Sequence, residues 1–235
     1  MWSIETSGLT KRFSQRWVLR GIDLQVKAGE FVSLLGSNGA GKTTLIKILS
    51  TLMQPSGGVV KIAGLILGEE DEKIRQHVGL LSHSTYLYDE LTAYENLLFY
   101  GKLRTIPTIV ERTLQTLKDV GLSAFSHSRV RTFSSGMRKR LAIAKLLLAP
   151  PEVIFLDEPY AGLDREGIEM LNHWLMALNA EGRTIFMVTH NNDQARSLGA
   201  RCLFLSQGKL TSPPLPSSSK GKGEGEFEER TTYVF

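Results

Sequence analysis

Apolar residues recur along this chain at two different spacings. In "IDLQV", Ile22, Leu24 and Val26 alternate with polar neighbours, which predicts a half-buried strand turning at Ala28-Gly29-Glu30. "FVSLL" follows as an unbroken apolar run ended by glycine, the pattern of a buried central strand. In "KTTLIKILSTL" the spacing becomes helical, with Leu45, Ile48, Leu49 and Leu52 on one face. "QPSGG" stops that helix, and "VVKIAG" reads as a hairpin strand. From Glu69 to about Ala149 helical spacing dominates. There "IVERTLQTLKDVGL" aligns Val110, Leu114, Leu117 and Val120 and ends at Gly121. Beyond it, "PEVIFLDEP" and "RTIFMVTH" read as buried strands. They flank an amphipathic helix carrying Ile168, Leu171, Leu175 and Leu178. The order predicts a parallel α/β fold with a helical insertion and no internal repeat. From Thr211 to Phe235 proline, serine, glycine and charge take over, which predicts a disordered tail.

Composition narrows the picture. With 235 residues, 42% hydrophobic and 22% charged, the chain can bury the core of one large α/β domain or two small ones. A net charge of +4, scattered rather than clustered, argues against a nucleic-acid partner. The single cysteine, Cys202, excludes an internal disulfide, suits a reducing cytoplasm and reads as a buried structural thiol in "RCLFLS". No run reaches the roughly 18 apolar residues of a membrane span, and "MWSIETSGLTKRF" lacks the apolar centre of a signal peptide. A role at a membrane is therefore expected to run through a partner.

Chemistry enters at "GSNGAGKTT", which fits G-x-x-x-x-G-K-[ST] between a predicted strand and a predicted helix. In such a loop the backbone N–H groups of Gly36, Ser37, Asn38, Gly39, Ala40 and Gly41 curl around phosphates. Lys42 reaches the β- and γ-phosphates, the Thr43 hydroxyl ligates Mg²⁺, and Thr44 bonds the α-phosphate. The plain alternative is a glycine-rich turn with a capping threonine, but strand, loop, lysine and helix stand here in order. "VIFLDEP" ends a second strand in two carboxylates. Asp157 is placed for the magnesium shell and Glu158 for polarising a water that attacks the γ-phosphate. His190 closes "FMVTH" at the strand ends where α/β sheets bind ligands, which suits a γ-phosphate contact better than an idle solvated side chain. A second helix start, Phe133-Ser134-Ser135-Gly136-Met137, again centres on small residues, two serines and a glycine, and is followed by a basic amphipathic helix.

Taken together, "GSNGAGKTT", "FSSGM", "VIFLDEP" and "FMVTH" resemble the ATP-binding cassette family over roughly Ile4 to Leu210. "FSSGM" stands where that family's signature is usually Leu-Ser-Gly-Gly-Gln, so Ser134 and Gly136 match while Phe133, Ser135 and Met137 depart. The resemblance implies a phosphate-loop NTPase fold over 1–210. Its central sheet would be mostly parallel, with an N-terminal antiparallel β subdomain and a helical subdomain at about 84–149. It implies ATP hydrolysis with Mg²⁺, and pairing with a second copy whose signature (here Ser134, Ser135 and Gly136) completes the site. Phe13 matches the aromatic that stacks on adenine, with Trp17 as second candidate. Asp164, ending "YAGLD", matches the loop that crosses the dimer interface. The resemblance further implies a separate integral membrane subunit, a peripheral place on the cytoplasmic face of the cell membrane, and export more than import. His83 replaces the family's usual glutamine at the magnesium shell. Imidazole is a poor partner for Mg²⁺, though one nitrogen can bond a water of that shell. "SHSTYLYDELTAYENLLFYGKL" resembles the haem-exporter ATPase of cytochrome c biogenesis, in which histidine occurs here. Exporters of drugs or polysaccharides, and ATPases of this fold without a transport role, remain the alternatives.

Overall fold

The computed structural model describes residues 1–211, apart from the side chains at 192 and 193. The strands β1 (Trp2–Phe13) and β2 (Arg16–Lys27) form a hairpin, and β3 (Phe31–Leu35) leads into α1 (Lys42–Leu49). A second hairpin, β4 (Gly57–Ile62) and β5 (Leu65–Ile66), is followed by α2 (Asp71–His77) and β6 (Val78–Leu81). Three helices, α3 (Ala93–Leu103), α4 (Ile109–Asp119) and α5 (Ser135–Leu148), fill the stretch before β7 (Val153–Asp157). Then come α6 (Arg165–Ala180), β8 (Thr184–Val188), α7 (Asn192–Ser197), β9 (Arg201–Ser206) and β10 (Lys209–Thr211).

The strands make two sheets. One is antiparallel, in the order β2-β1-β4-β5. The other runs β10-β9-β3-β8-β7-β6 and is parallel except for the β9–β10 pair. The fold class is thus α/β, with a mostly parallel central sheet, an N-terminal antiparallel sheet and an inserted helical region, as expected.

Every residue of β3, β7 and β8 is buried, because each strand is covered on both faces. Alternation then splits these strands between two cores. Val32, Leu34, Val153, Phe155, Phe186 and Val188 pack with α1 and the antiparallel sheet. Phe31, Ile154, Leu156, Ile185 and Met187 pack with α3 to α6. Both faces being apolar, these runs carry no polar alternation, which is why they stand out in the sequence.

Several sequence expectations are corrected. The helix over Leu45–Leu52 stops at Leu49 with Ser50 as its C-cap; Thr51 takes φ 65 and Leu52 is turned out, 51% exposed. On α4, Leu117 and the following Val120 are buried, but Val110 and Leu114 are exposed. The buried face instead uses Thr113 and Thr116. The Thr116 hydroxyl donates to the Arg112 carbonyl at 2.7 Å, so it enters the core with its polar group satisfied. The basic helix α5 is not amphipathic. No residue from 136 to 148 is exposed, since the helix is enclosed by the parallel sheet, α4 and α6. Cys202 is half-buried rather than buried, and burial pushes its thiol pKa up. Thr211, expected to open the tail, pairs with Phe204 in β10; the rest of that expected tail lies outside the described residues.

Candidate functional site

The loop between β3 and α1 is fixed by close packing. Gly36 takes φ 153, and a Cβ there would stand 2.2 Å from the Leu205 carbonyl oxygen, so no other residue fits. Gly41 precedes α1 with φ 109 and offers no side-chain cap, which leaves the N–H groups of the first turn to whatever occupies the loop. Lys42 is 7% exposed. Its ammonium donates to the carbonyls of Gly36 at 2.7 Å and Ser37 at 3.0 Å, holding the loop closed over a positive charge.

The parallel register brings β7 beside β8, and β8 beside β3, so their C-terminal ends converge on that loop. The Thr43 hydroxyl donates to Oδ1 of Asp157 at 3.4 Å. Asp157 is 8% exposed, and burial pushes its pKa up against the lowering effect of the Thr43 bond. Glu158 takes φ 47, a left-handed backbone uncommon for glutamate, with its N–H donating to the Val188 carbonyl at 2.9 Å. Its Oε2 lies 2.9 Å from Nδ1 of His190.

These groups line a cavity of about 520 Å³. It holds Asn38, Gly39, Gly41, Lys42, Thr43 and Thr44 of the loop, the carboxylates of Asp157 and Glu158, and Phe13 from the tip of the first hairpin. Phe13 and Trp17 are each 44% exposed, but only Phe13 borders this cavity. Trp17 lines a neighbouring one of about 270 Å³ with Ser37 and Ala40. His190 reaches the group through Glu158 rather than by lining the cavity. His83 is exposed on the segment after β6, one residue beyond Ser82, and is also outside the lining.

The second phosphate-directed helix start is elsewhere. Ser134, Ser135 and Gly136 border a separate cavity of about 320 Å³ with Met137, Arg140, Gly162 and Asp164, and share no residue with the first. Ser134 caps α5 by accepting from the Met137 N–H at 3.2 Å. A Cβ on Gly136 would come within 3.1 Å of the Gly162 carbonyl oxygen, so the glycine allows the two turns to approach. Asp164 is engaged within the chain: it caps α6 through the Gly167 N–H at 2.9 Å and pairs with Arg140 at 2.9 Å. The Gly167 N–H, then Arg140, hold its carboxyl below the usual range.

Two participants escaped the sequence reading. Arg16 lines both cavities beside the loop, and its only signal was its position opposite Phe13 across the first hairpin. Lys139 is buried, and its signal was a lysine on the same face as Ala142 and Ile143.

Comparison with known proteins agrees with this geometry. The family model described as ABC transporter matches residues 19–161. The linearmycin resistance ATP-binding protein LnrL of Bacillus subtilis (strain 168) is 32% identical over 88% of this chain and 67% of its own length. The daunorubicin/doxorubicin resistance ATP-binding protein DrrA of Streptomyces peucetius is 33% identical over 88% of this chain and 64% of its own. The chain therefore spans about two thirds of these relatives. Among solved structures, the ATP-binding cassette MJ0796, dimeric in a post-hydrolysis state with ADP and Pi, superimposes with a TM-score of 0.81. It is 30% identical, and the match covers 89% of this chain and 97% of that one. The loop, the paired carboxylates and the detached second helix start are those of a phosphate-loop nucleotide hydrolase, and the chain belongs to the ABC transporter family as an ATPase domain.

Proposed function

We propose that two copies of this chain close around two Mg-ATP molecules and that hydrolysis reopens them, driving a separate integral membrane subunit. The observation that carries this reading is the separation of the two cavities. One chain presents Lys42, Thr43, Asp157 and Glu158 in one place and Ser134 to Gly136 in another. A second copy is the natural source of the missing helix start. The dimeric MJ0796 cassette supports the same arrangement.

In hydrolysis, the Lys42 ammonium exchanges its loop carbonyls for the β- and γ-phosphate oxygens. The Glu158 carboxylate accepts a proton from the attacking water, oriented by its contact with His190. Phe13 stacks on adenine, and the amides of Gly36 to Gly41 cradle the phosphates. Thr43 and Asp157 offer two hard oxygen donors at one point, the donor chemistry that suits Mg²⁺, whose bound form neutralises charge on the β- and γ-phosphates. His83 offers nitrogen to that centre, a weaker match. Asp164 contributes across the interface by fixing the turn next to Ser135.

Among the described residues no helix is long and apolar enough to cross a membrane, which fits peripheral attachment at the cytoplasmic face through the membrane subunit. Relatives named for linearmycin and daunorubicin/doxorubicin resistance support export. A narrower form of this reading, haem export in cytochrome c biogenesis, is supported by His83 within the Ser82–Leu103 segment. Co-purification with the membrane subunit decides between them. For the core of the reading, Glu158→Gln should abolish turnover and trap an ATP-bound dimer detectable by light scattering. Continued hydrolysis, or a strict monomer with ATP, would contradict it.

A further inference from the structure

The helix behind Ser134 carries a lysine for which the hydrolytic roles above have no use. Lys139, in the second turn of α5, is 4% exposed. Its ammonium lies 3.3 Å from the carbonyl oxygen of Ser82 and 3.5 Å from that of Glu158. Burial lowers its pKa, opposed by the carboxylates of Asp157 and Glu158. Among the described residues its hydrogen-bonding partners are these backbone oxygens. An ammonium is costly to bury, and an apolar side chain at this position would not carry that cost.

What the lysine touches gives it a task. The left-handed backbone of Glu158 persists only where neighbours hold it on several sides. β8 holds the N–H through the Val188 carbonyl, His190 meets the carboxylate, and Lys139 faces the carbonyl. The other oxygen it reaches belongs to Ser82, directly before His83. The same segment is held further along from α5, where Lys145 donates to the Thr85 carbonyl at 3.1 Å.

We propose that Lys139 is a positioning residue for ATP hydrolysis. Its ammonium ties the Glu158 carbonyl to the Ser82 carbonyl, and so fixes the backbone that aims the Glu158 carboxylate against the segment carrying His83. This rests on the reading of Glu158 as base. The tether acts on the aim of the carboxylate and not on the nucleotide cradle, so its loss should reach kcat and spare KM.

The test compares Lys139→Met and Lys139→Arg in the full chain by steady-state ATPase kinetics and thermal melting. The methionine variant should lose about tenfold or more in kcat, with KM for ATP within about threefold and an undiminished melting temperature. Arginine, which keeps both donors and charge, should restore kcat to within about threefold of the parent. Should the methionine variant fail to fold, Lys139→Leu is read in the same way. An unchanged kcat in the neutral variant, or equal losses in both variants with KM rising in step, overturns the proposal. Glu158→Gln measured alongside separates the two claims. If it still turns over, the base assignment fails. If it is inactive while Lys139→Met keeps the parental kcat, the tether alone fails.

Discussion

The chain begins two helices after small-residue turns suited to phosphate, and it finishes them differently. The first turn of α1 has no side-chain cap, and its N–H groups are left open beside a buried lysine. The first turn of α5 is closed by its own Ser134. The contrast follows from support. Leu45, Ile46, Ile48 and Leu49 anchor α1 in the core completely, so it holds its place without a cap. α5 starts on the surface, where an uncapped end would fray. Ser134 nevertheless stays available. Its oxygen accepts from Met137, which leaves the hydroxyl proton free to donate to an arriving phosphate oxygen. One helix start is built to receive a nucleotide, the other to be offered to one.

The comparison can be broken at either end. The largest effect is expected at α1: Lys42→Ala should cut hydrolysis about a hundredfold or more and abolish binding of a fluorescent ATP analogue, because among the described residues no other buried cation lines that cavity. At α5, Ser134→Ala should cost only about 1 kcal/mol in stability, the worth of an N-cap, yet reduce ATPase about a hundredfold. A variant that loses stability alone would reduce Ser134 to a cap, and the two helix starts would no longer share a purpose. The smallest effect is expected at Asp164→Ala, beside the second cavity. The Asp164 carboxyl is depressed by the Gly167 N–H and by Arg140, so its stabilisation is present above its unfolded pKa, about 3.9, and is lost as pH falls through the lower folded value. The difference in melting temperature between parent and variant should therefore be small at pH 7 and close below about pH 4.

Legibility differed between the two regions for a physical reason. The phosphate loop is local: nine consecutive residues, "GSNGAGKTT", carry the turn, the charge and the hydroxyls, and the strand before them advertises itself by lacking any polar alternation. The same holds for "VIFLD" and "TIFMV", all of whose residues are buried. In the helical region the signal is non-local. A period of 3.6 residues marks Val110 and Leu114 as core, but the face that meets α3 and α5 is decided by those helices, and it buries Thr113 and Thr116 instead. Lys139 was hidden in the same way, since a charge reads as surface until its backbone acceptors are known.

By itself the sequence determined the parallel α/β core, the phosphate loop with Lys42 and Thr43, and the carboxylate pair at the end of β7, because each depends on neighbours along the chain. Only the tertiary structure decided that Phe13 rather than Trp17 shares the cavity of Lys42, Thr43, Asp157 and Glu158, that Glu158 is pinned from three sides, and that Ser134 faces a cavity of its own. Those facts depend on which surfaces meet across large separations in sequence, and burial and carbonyl geometry settle them where residue order carries no trace.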